Sequence, residues 1–145
     1  MVKYGRSVRH PVFFVEMRLG KTLATIRTIK TYHPENRQKI LIVAPFSAWS
    51  GWSEELTEEG IDHLLLYGST PQRIKLLKES ATVYITNYES WKGIGKALKS
   101  IQWDVVVLDE SDGIKNPRAK VSQFYTKNFR NVRHRYILTG TPDPE

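Results

Sequence analysis

Two short groups of residues in this sequence have the types and spacing needed to hold a phosphorylated ligand and a divalent cation. The first is Gly20-Lys21-Thr22, and the second is Asp109-Glu110, which directly follows the apolar run 103–108. A lysine and the free N–H groups of a helix attract phosphate, while hydroxyl and carboxylate oxygens suit Mg²⁺. These residues therefore predict phosphate chemistry assisted by a magnesium ion.

The pattern around the first group predicts a strand, a tight turn and a helix. Residues 12–15 are β-branched or aromatic, which is typical of a buried parallel strand, and residues 22–32 carry apolar side chains at helical spacing. The helix would direct its first N–H groups at a phosphate, with Lys21 on the β- and γ-phosphates and Thr22 on Mg²⁺. The predicted nucleotide-binding residues here are Met17, Arg18, Leu19, Gly20, Lys21 and Thr22.

The full GxxxxGK[ST] pattern is broken in this chain. Its first glycine falls on Val15, and the middle of the loop carries Arg18. Arg18 either obstructs the approach of phosphate or adds a positive charge to it, and the sequence leaves both alternatives open. A Gly-Lys-Thr triplet also occurs by chance, so the interpretation depends on the strand, turn and helix around it.

Length and composition place the chain among globular domains. Its 145 residues are enough for one domain with a hydrophobic core, and 40% of them are hydrophobic. The absence of cysteine excludes a disulfide framework and a thiolate metal site, and it favours a reducing, intracellular compartment. The expected location is the cytoplasm, with a nucleoid or a phage-infected cell as the setting if the source is prokaryotic. No apolar run or signal pattern indicates a membrane or secretion.

The formal net charge of +7 is unevenly placed. Residues 41–67 contain five acidic and no basic residues, so the basic excess lies in the segments before and after them. Such a balance attracts polyanions, and nucleic acid is the first candidate partner. The alternative is a charged surface that only keeps the protein in solution.

Strand and helix patterns alternate along the chain. Strands are predicted at 39–44, 64–67, 81–86, 103–108 and 135–138. Helices are predicted from an N-cap at Ser47 to a C-cap at Gly60, from a cap at Thr70, over 91–98, and from Asn116-Pro117 to Phe129. Trp49, Trp52 and Leu56 share one helix face and are predicted to be core residues. The fold class is α/β, a parallel β-sheet with helices on both faces.

The polar clusters follow the predicted strands. In open sheets of this kind, ligands bind beyond the carboxyl ends of the strands. There Asp109 would hold Mg²⁺ and Glu110 would orient the attacking water in a phosphoryl transfer. The alternative is that Asp109-Glu110 merely ends a strand in solvent.

Five segments in order resemble a known family. EMRLGKT, LIVAPFSAWSGWSEE, ITNYES, VVVLDESDGIKNPRAK and YILTGTPDPE are similar to motifs I, Ia, Ib, II and III of superfamily 2 DEAD/DEAH-box helicases, and most similar to the Swi/Snf-type DNA translocase branch. The resemblance implies a P-loop NTPase domain, namely the first RecA-like lobe of an ATP-dependent helicase or translocase. Its implied cofactors are ATP and Mg²⁺, and its implied partner is nucleic acid, chiefly double-stranded DNA.

The resemblance also assigns roles to residues. It implies catalytic roles for Lys21, Asp109 and Glu110, and a nucleotide-coupling role for Thr139, Gly140 and Thr141. Residues expected to contact the nucleic-acid backbone are Pro45, Phe46, Ser47, Thr86, Asn87 and Tyr88.

The chain departs from the family pattern at its ends. It starts too close to motif I for the usual adenine-reading segment, and it stops after motif III. We therefore expect residues 1–145 to be one ATP-binding domain, incomplete at both ends, that needs a second RecA-like lobe in cis or in trans and hydrolyses ATP very slowly alone. The alternative is a non-catalytic nucleotide- and nucleic-acid-binding remnant of a split or decayed gene, for example of a phage. A small-molecule kinase is disfavoured, because no lid or acceptor pocket is apparent.

Replacing Lys21 tests the predicted phosphate site. Lys21→Ala should weaken Mg-dependent ATP binding roughly tenfold or more, because it removes a charge-assisted contact of about 1.5–3 kcal/mol. Titration of wild type and variant with a fluorescent ATP analogue measures the difference. Coincident titration curves would show that the phosphate site is misassigned.

Overall fold

The computed structural model describes residues 18–32, 38–109 and 120–138. Its centre is a parallel sheet of five strands in the order β2-β3-β1-β4-β5. The strands are β1 (Ile40–Val43), β2 (His63–Leu65), β3 (Val83–Thr86), β4 (Val105–Leu108) and β5 (His134–Ile137). The predicted parallel sheet is confirmed.

Helices connect the strands. They are α1 (Arg18–Tyr32), α2 (Phe46–Glu58), α3 (Thr70–Leu77), α4 (Trp91–Ser100) and α5 (Lys120–Asn128), and a 3₁₀ turn (Tyr88–Ser90) precedes α4. Each predicted helix has a counterpart. The predicted strand at 12–15 and the predicted helix start at Asn116-Pro117 lie outside the described residues.

The strands are buried on both faces, which explains their nearly continuous apolar sequences. In β1, Ile40 and Ile42 pack in the cluster that contains residues of α1 and α2, whereas Leu41 and Val43 pack in the cluster that contains residues of α3, α4 and α5. Helices therefore cover both faces, as predicted. The predicted core residues of α2 are confirmed, since the exposed fractions of Trp49, Trp52 and Leu56 are 5%, 0% and 2%.

Two predicted N-caps are wrong, and the C-cap of α2 is Glu59 rather than Gly60. Helix α2 starts at Phe46, because Pro45 already has the extended backbone of an N-cap, and Ser47 therefore lies inside the helix. The cap of α3 is Ser69, whose hydroxyl accepts a hydrogen bond from the Gln72 backbone N–H while the Gln72 side chain accepts one from the Ser69 N–H. This reciprocal capping box satisfies two free donors, which a cap at Thr70 would not do.

Two predicted element ends also differ. The helix expected from Thr22 begins at Arg18, four residues earlier, so Gly20 and Lys21 are already helical. The strand expected to reach Tyr67 ends at Leu65, because the Tyr67 N–H turns back to the Leu65 carbonyl at 3.0 Å. Gly68 then has a φ of 98°, and Tyr67 is left 62% exposed.

Helices α1 and α2 lie side by side and run in the same direction. The Lys30 Nζ, in the last turn of α1, lies 3.1 Å from the Glu59 Oε1 just after α2 and also donates to the Glu59 carbonyl at 3.3 Å. Because β1 leads directly into α2, both helix N-termini lie at the end of the sheet where the strands finish. We call this end the carboxyl end.

Two glycines, one in the middle of α2 and one just after it, should respond to alanine with opposite signs. Gly51 lies within the helix with open space around it, so Gly51→Ala should stabilise the protein by about 0.5–1 kcal/mol. Gly60 has equally open space but a φ of 73°, so Gly60→Ala should destabilise it by about 1–2 kcal/mol. Urea unfolding measures both changes. Shifts of the same sign would contradict the assigned backbone conformations.

Candidate functional site at the carboxyl end of the sheet

Three neighbouring strands end level with one another. Val43 of β1 pairs in register with Thr86 of β3 and with Leu108 of β4. The next residues continue the ladder, since the Ala44 N–H donates to the Thr86 carbonyl at 2.8 Å and the Asp109 N–H donates to the Val43 carbonyl at 2.8 Å. The predicted magnesium carboxylate and the predicted nucleic-acid segments are thus adjacent.

Asp109 is fully buried and is held from two sides. Its Oδ2 accepts a hydrogen bond of 2.7 Å from the Trp52 indole N–H of α2. Its backbone carbonyl accepts a hydrogen bond of 2.7 Å from the hydroxyl of Tyr88, a residue in the turn that follows β3. A carboxylate offers about four lone-pair positions, so a bond from Trp52 leaves capacity for further ligands. The carboxylate is therefore fixed in position and chemically suited to Mg²⁺.

The turn after β3 is built from internal hydrogen bonds. The Thr86 hydroxyl donates to the Ser90 hydroxyl at 2.7 Å, and the Ser90 hydroxyl donates to the Asn87 carbonyl at 2.8 Å. Tyr125 of α5 donates to the Tyr88 carbonyl at 3.1 Å. Burial raises the pKa of Tyr125, so its hydroxyl stays protonated and remains a donor at physiological pH.

These hydrogen bonds direct the side chains of the predicted nucleic-acid-binding residues in and before this turn toward the interior of the protein. Thr86 and Tyr88 are buried, and both hydroxyls are engaged inside the protein. Their direct contact with a nucleic-acid backbone stays a prediction, and it would require these bonds to be exchanged. The Asn87 Oδ1 accepts a 2.9 Å bond from Arg73, so this side chain also has an internal partner.

Sequence reasoning missed Arg73. This half-buried residue of α3 donates through Nε to the Gly68 carbonyl at 2.9 Å and through a terminal nitrogen to Asn87 at 2.9 Å. It thereby joins the loop after β2 to the turn after β3. The only sequence signal was a basic residue close to a helix N-terminus, because its partner Asn87 is remote along the chain.

The residues predicted to contact nucleic acid after β1 are more exposed. Phe46 is 56% exposed and packs its ring against Trp49 with a centroid separation of 4.4 Å. Ser47 is exposed and Pro45 is partly so. Pro45, the N-cap, makes no side-chain cap bond to the first turn of α2. This helix N-terminus therefore meets solvent beside the Asp109 site.

A polar cleft of about 380 Å³ opens between the N-termini of α3 and α4. Two cationic side chains and one acidic side chain line its wall, so the lining has a net positive charge. The polar groups that line it include Ser69, Thr70, Arg73, Asn87, Glu89 and Lys92. The cleft borders the 87–90 turn, so it extends the site toward β2.

The predicted phosphate-binding residues lie partly outside the described residues. Arg18, Leu19, Gly20 and Lys21 form the start of α1, at the carboxyl end of the sheet, but only Thr22 of this group has a described side chain, which is partly buried. Met17, Glu110, Thr139, Gly140 and Thr141 are not described. Their roles stay predictions.

The sheet order and this site define a RecA-like lobe. A similar solved structure is the SWI2/SNF2 ATPase core of Sulfolobus solfataricus in complex with double-stranded DNA, with a TM-score of 0.76 and 27% sequence identity. The match covers 98% of this chain and 30% of that chain. The SNF2-related domain family matches residues 1–145. The chain belongs to this family, which confirms the resemblance drawn from the motifs.

Individual relatives agree with this assignment. The chain is 32% identical over 150 aligned residues to the TATA-binding protein-associated factor mot1 of Aspergillus fumigatus, which covers 92% of this chain and 8% of the relative. It is 34% identical over 140 residues to the ISWI chromatin-remodeling complex ATPase ISW2 of Saccharomyces cerevisiae, which covers 88% and 12%. The chain thus spans about a tenth of the length of these relatives. The part of the chain that the structure describes contains no helix that could span a membrane.

Proposed function

We propose that this chain is the first RecA-like lobe of an ATP-dependent DNA translocase, in which Mg-ATP binding and hydrolysis drive movement on duplex DNA. One observation carries the proposal. Asp109, the carboxylate suited to Mg²⁺, is hydrogen-bonded to α2 and to the 87–90 turn, whose neighbouring residues are expected to contact the DNA backbone. Membership of the SNF2-related domain family and the likeness to a DNA-bound ATPase core support it.

The nucleotide side of the site uses residues from three segments. Lys21 and the first N–H groups of α1 would bind the phosphates. Thr22 and Asp109 would hold the magnesium ion, which would supply charge neutralisation in phosphoryl transfer. Glu110 orients the attacking water. The segment after β5 contains Thr139, Gly140 and Thr141, and β5 pairs with β4. We assign to this segment the coupling of the bound nucleotide to nucleic-acid contact.

The DNA side uses backbone contacts. The open N-terminus of α2 with Ser47, and the cationic cleft with Lys92, face the same end of the sheet. Such groups bind phosphate oxygens and carry no base-reading pattern, so binding is independent of sequence. Phe46 is exposed beside them and can contact a sugar or a base.

Turnover requires a further cation. Negative charge develops on the γ-phosphoryl oxygens during transfer. In related ATPases an arginine supplied by another lobe neutralises this charge, and that arginine raises the rate roughly 10³–10⁵-fold. Arg133 immediately precedes β5 and Arg135 lies in its first half, away from the end that holds Asp109. A second RecA-like lobe, in cis or in trans, would supply the arginine, so residues 1–145 alone bind ATP and hydrolyse it very slowly.

The second candidate function is a non-catalytic nucleotide- and nucleic-acid-binding remnant. The specific observation in its favour is the broken phosphate loop, with Val15 and Arg18 in place of the usual residues. Measured Mg-dependent nucleotide binding separates the two, because a remnant has no need to keep the magnesium site.

Two aspartates that flank β4 provide a matched test of the magnesium site. Asp109 follows the strand, whereas Asp104 precedes it and accepts the Lys39 backbone N–H at 2.8 Å at the opposite end. Asp109→Asn should remove the Mg-dependent part of ATP affinity, roughly tenfold or more, since a charged ligand is lost. Asp104→Asn should leave it unchanged.

Titration with a fluorescent ATP analogue, with Mg²⁺ and with excess chelator, measures this dependence. The proposal fails if the wild type shows no dependence on Mg²⁺, or if Asp109→Asn keeps the wild-type dependence.

Two lysines of α4 provide a matched test of the DNA surface. Lys92 lines the cleft at the carboxyl end, whereas Lys99 lies in the last turn at the other end, and both are exposed. Lys92→Ala should lower affinity for duplex DNA several-fold and reduce the salt slope by about 0.9, as expected for one lost phosphate contact. Lys99→Ala should do neither. Fluorescence anisotropy at several salt concentrations measures both, and equal effects of the two variants would place the DNA elsewhere.

A further inference from the structure

Asp109 is held by two neutral donors from different parts of the fold. The Trp52 N–H comes from the middle of α2, one and a half turns after Phe46 and Ser47. The Tyr88 hydroxyl comes from the turn after β3 and reaches the carbonyl of the same aspartate. Both distances are 2.7 Å, and all three residues are less than 10% exposed.

These bonds resist exchange with water. A buried donor that loses its partner bears the full desolvation penalty, and the low local dielectric strengthens the bond that is present. Tyr88 is itself fixed, because its ring meets the Tyr125 ring edge-on at 5.4 Å and its carbonyl accepts from the Tyr125 hydroxyl. A displacement of the 87–90 turn therefore displaces Tyr88 and, with it, the backbone of Asp109.

We propose that Tyr88 and Trp52 are positioning residues that transmit the occupancy of the DNA surface to the magnesium carboxylate. This inference rests on the proposed function and specifies how its two ligand sites communicate. Binding of a backbone at the N-terminus of α2 or at the 87–90 turn shifts one or both donors. The Asp109 carboxylate follows, so the affinity for Mg-ATP changes when duplex DNA is bound, and by linkage the affinity for DNA changes equally when Mg-ATP is bound.

A purely structural role is the alternative, and the chain offers a matched control for it. Tyr84 is a fully buried residue of β3 whose hydroxyl donates to the Glu79 carbonyl and accepts the Ala81 N–H. Those partners lie before β3, at the end of the sheet opposite Asp109. Tyr84→Phe and Tyr88→Phe both delete a buried hydroxyl and keep the ring, so they should lower the melting temperature by comparable amounts.

The deciding measurement is the dissociation constant of a non-hydrolysable Mg-ATP analogue, without DNA and at saturating duplex DNA, for residues 1–145. The ratio of the two constants is the coupling factor. It is insensitive to any direct effect of a variant on DNA affinity, because DNA is saturating. We expect a wild-type ratio that differs from one by about fivefold or more, in either direction. Tyr88→Phe should bring the ratio close to one, and Tyr84→Phe should keep the wild-type ratio.

The outcomes separate this inference from the proposed function. A wild-type chain that binds neither ligand refutes the proposed function. A wild-type chain that binds both with a ratio of one, or a Tyr88→Phe variant that keeps the wild-type ratio, overturns the inference alone. If Tyr88→Phe does not fold, Trp52→Phe takes its place, since it keeps an aromatic ring and deletes the N–H bound to Asp109 Oδ2. A Trp52→Phe variant that keeps the wild-type ratio would also overturn the inference.

Discussion

The burial of the parallel sheet on both faces is the constraint on which the rest of this domain depends. The residues of β1, β3 and β4 are all buried, so these strands have no solvent-facing position at which a polar side chain could work. Polar chemistry is therefore confined to the ends of the strands. The parallel register then brings the residues that follow β1, β3 and β4 to one place, because Val43, Thr86 and Leu108 end level.

A buried carboxylate at that place needs compensation. Removing a charge from water is costly unless hydrogen bonds or opposite charges replace the lost hydration. Trp52 supplies one such bond to the Asp109 side chain, and Tyr88 fixes its backbone. The Trp52 bond that compensates the carboxylate also joins it to α2, and the Tyr88 bond joins the backbone of the same residue to the 87–90 turn. The hydrogen bonds that stabilise this buried residue are thus the same ones through which we propose that the two ligand surfaces communicate.

The two ends of the sheet also differ in the charge that the fold places there. The acidic residues concentrated in 41–67 lie mostly late in α2 and just after it, where Glu59 binds Lys30 of α1. The N-terminus of α2, by contrast, carries no acidic residue in its first turn. Lys92 and Arg73 line the neighbouring cleft. The carboxyl end of the sheet is therefore electrostatically more favourable for an anionic ligand than the far end of α2, where acidic residues join the helices.

The α/β class, the order of the elements, the burial of Trp49, Trp52 and Leu56, and the family were all predictable from the amino-acid sequence, because apolar periodicity and motif order are local or sequential signals. The sequence did not determine the strand order, the caps at Pro45 and Ser69, or the bonds from Trp52, Tyr88 and Arg73. Strand order and these side-chain bonds join residues far apart in the chain, so only tertiary packing decides them. The roles of Lys21, Glu110 and 139–141 remain predictions of the sequence. Only the tertiary structure shows that Asp109 is hydrogen-bonded both to α2 and to the turn after β3, because its partners Trp52 and Tyr88 are remote from it in the sequence.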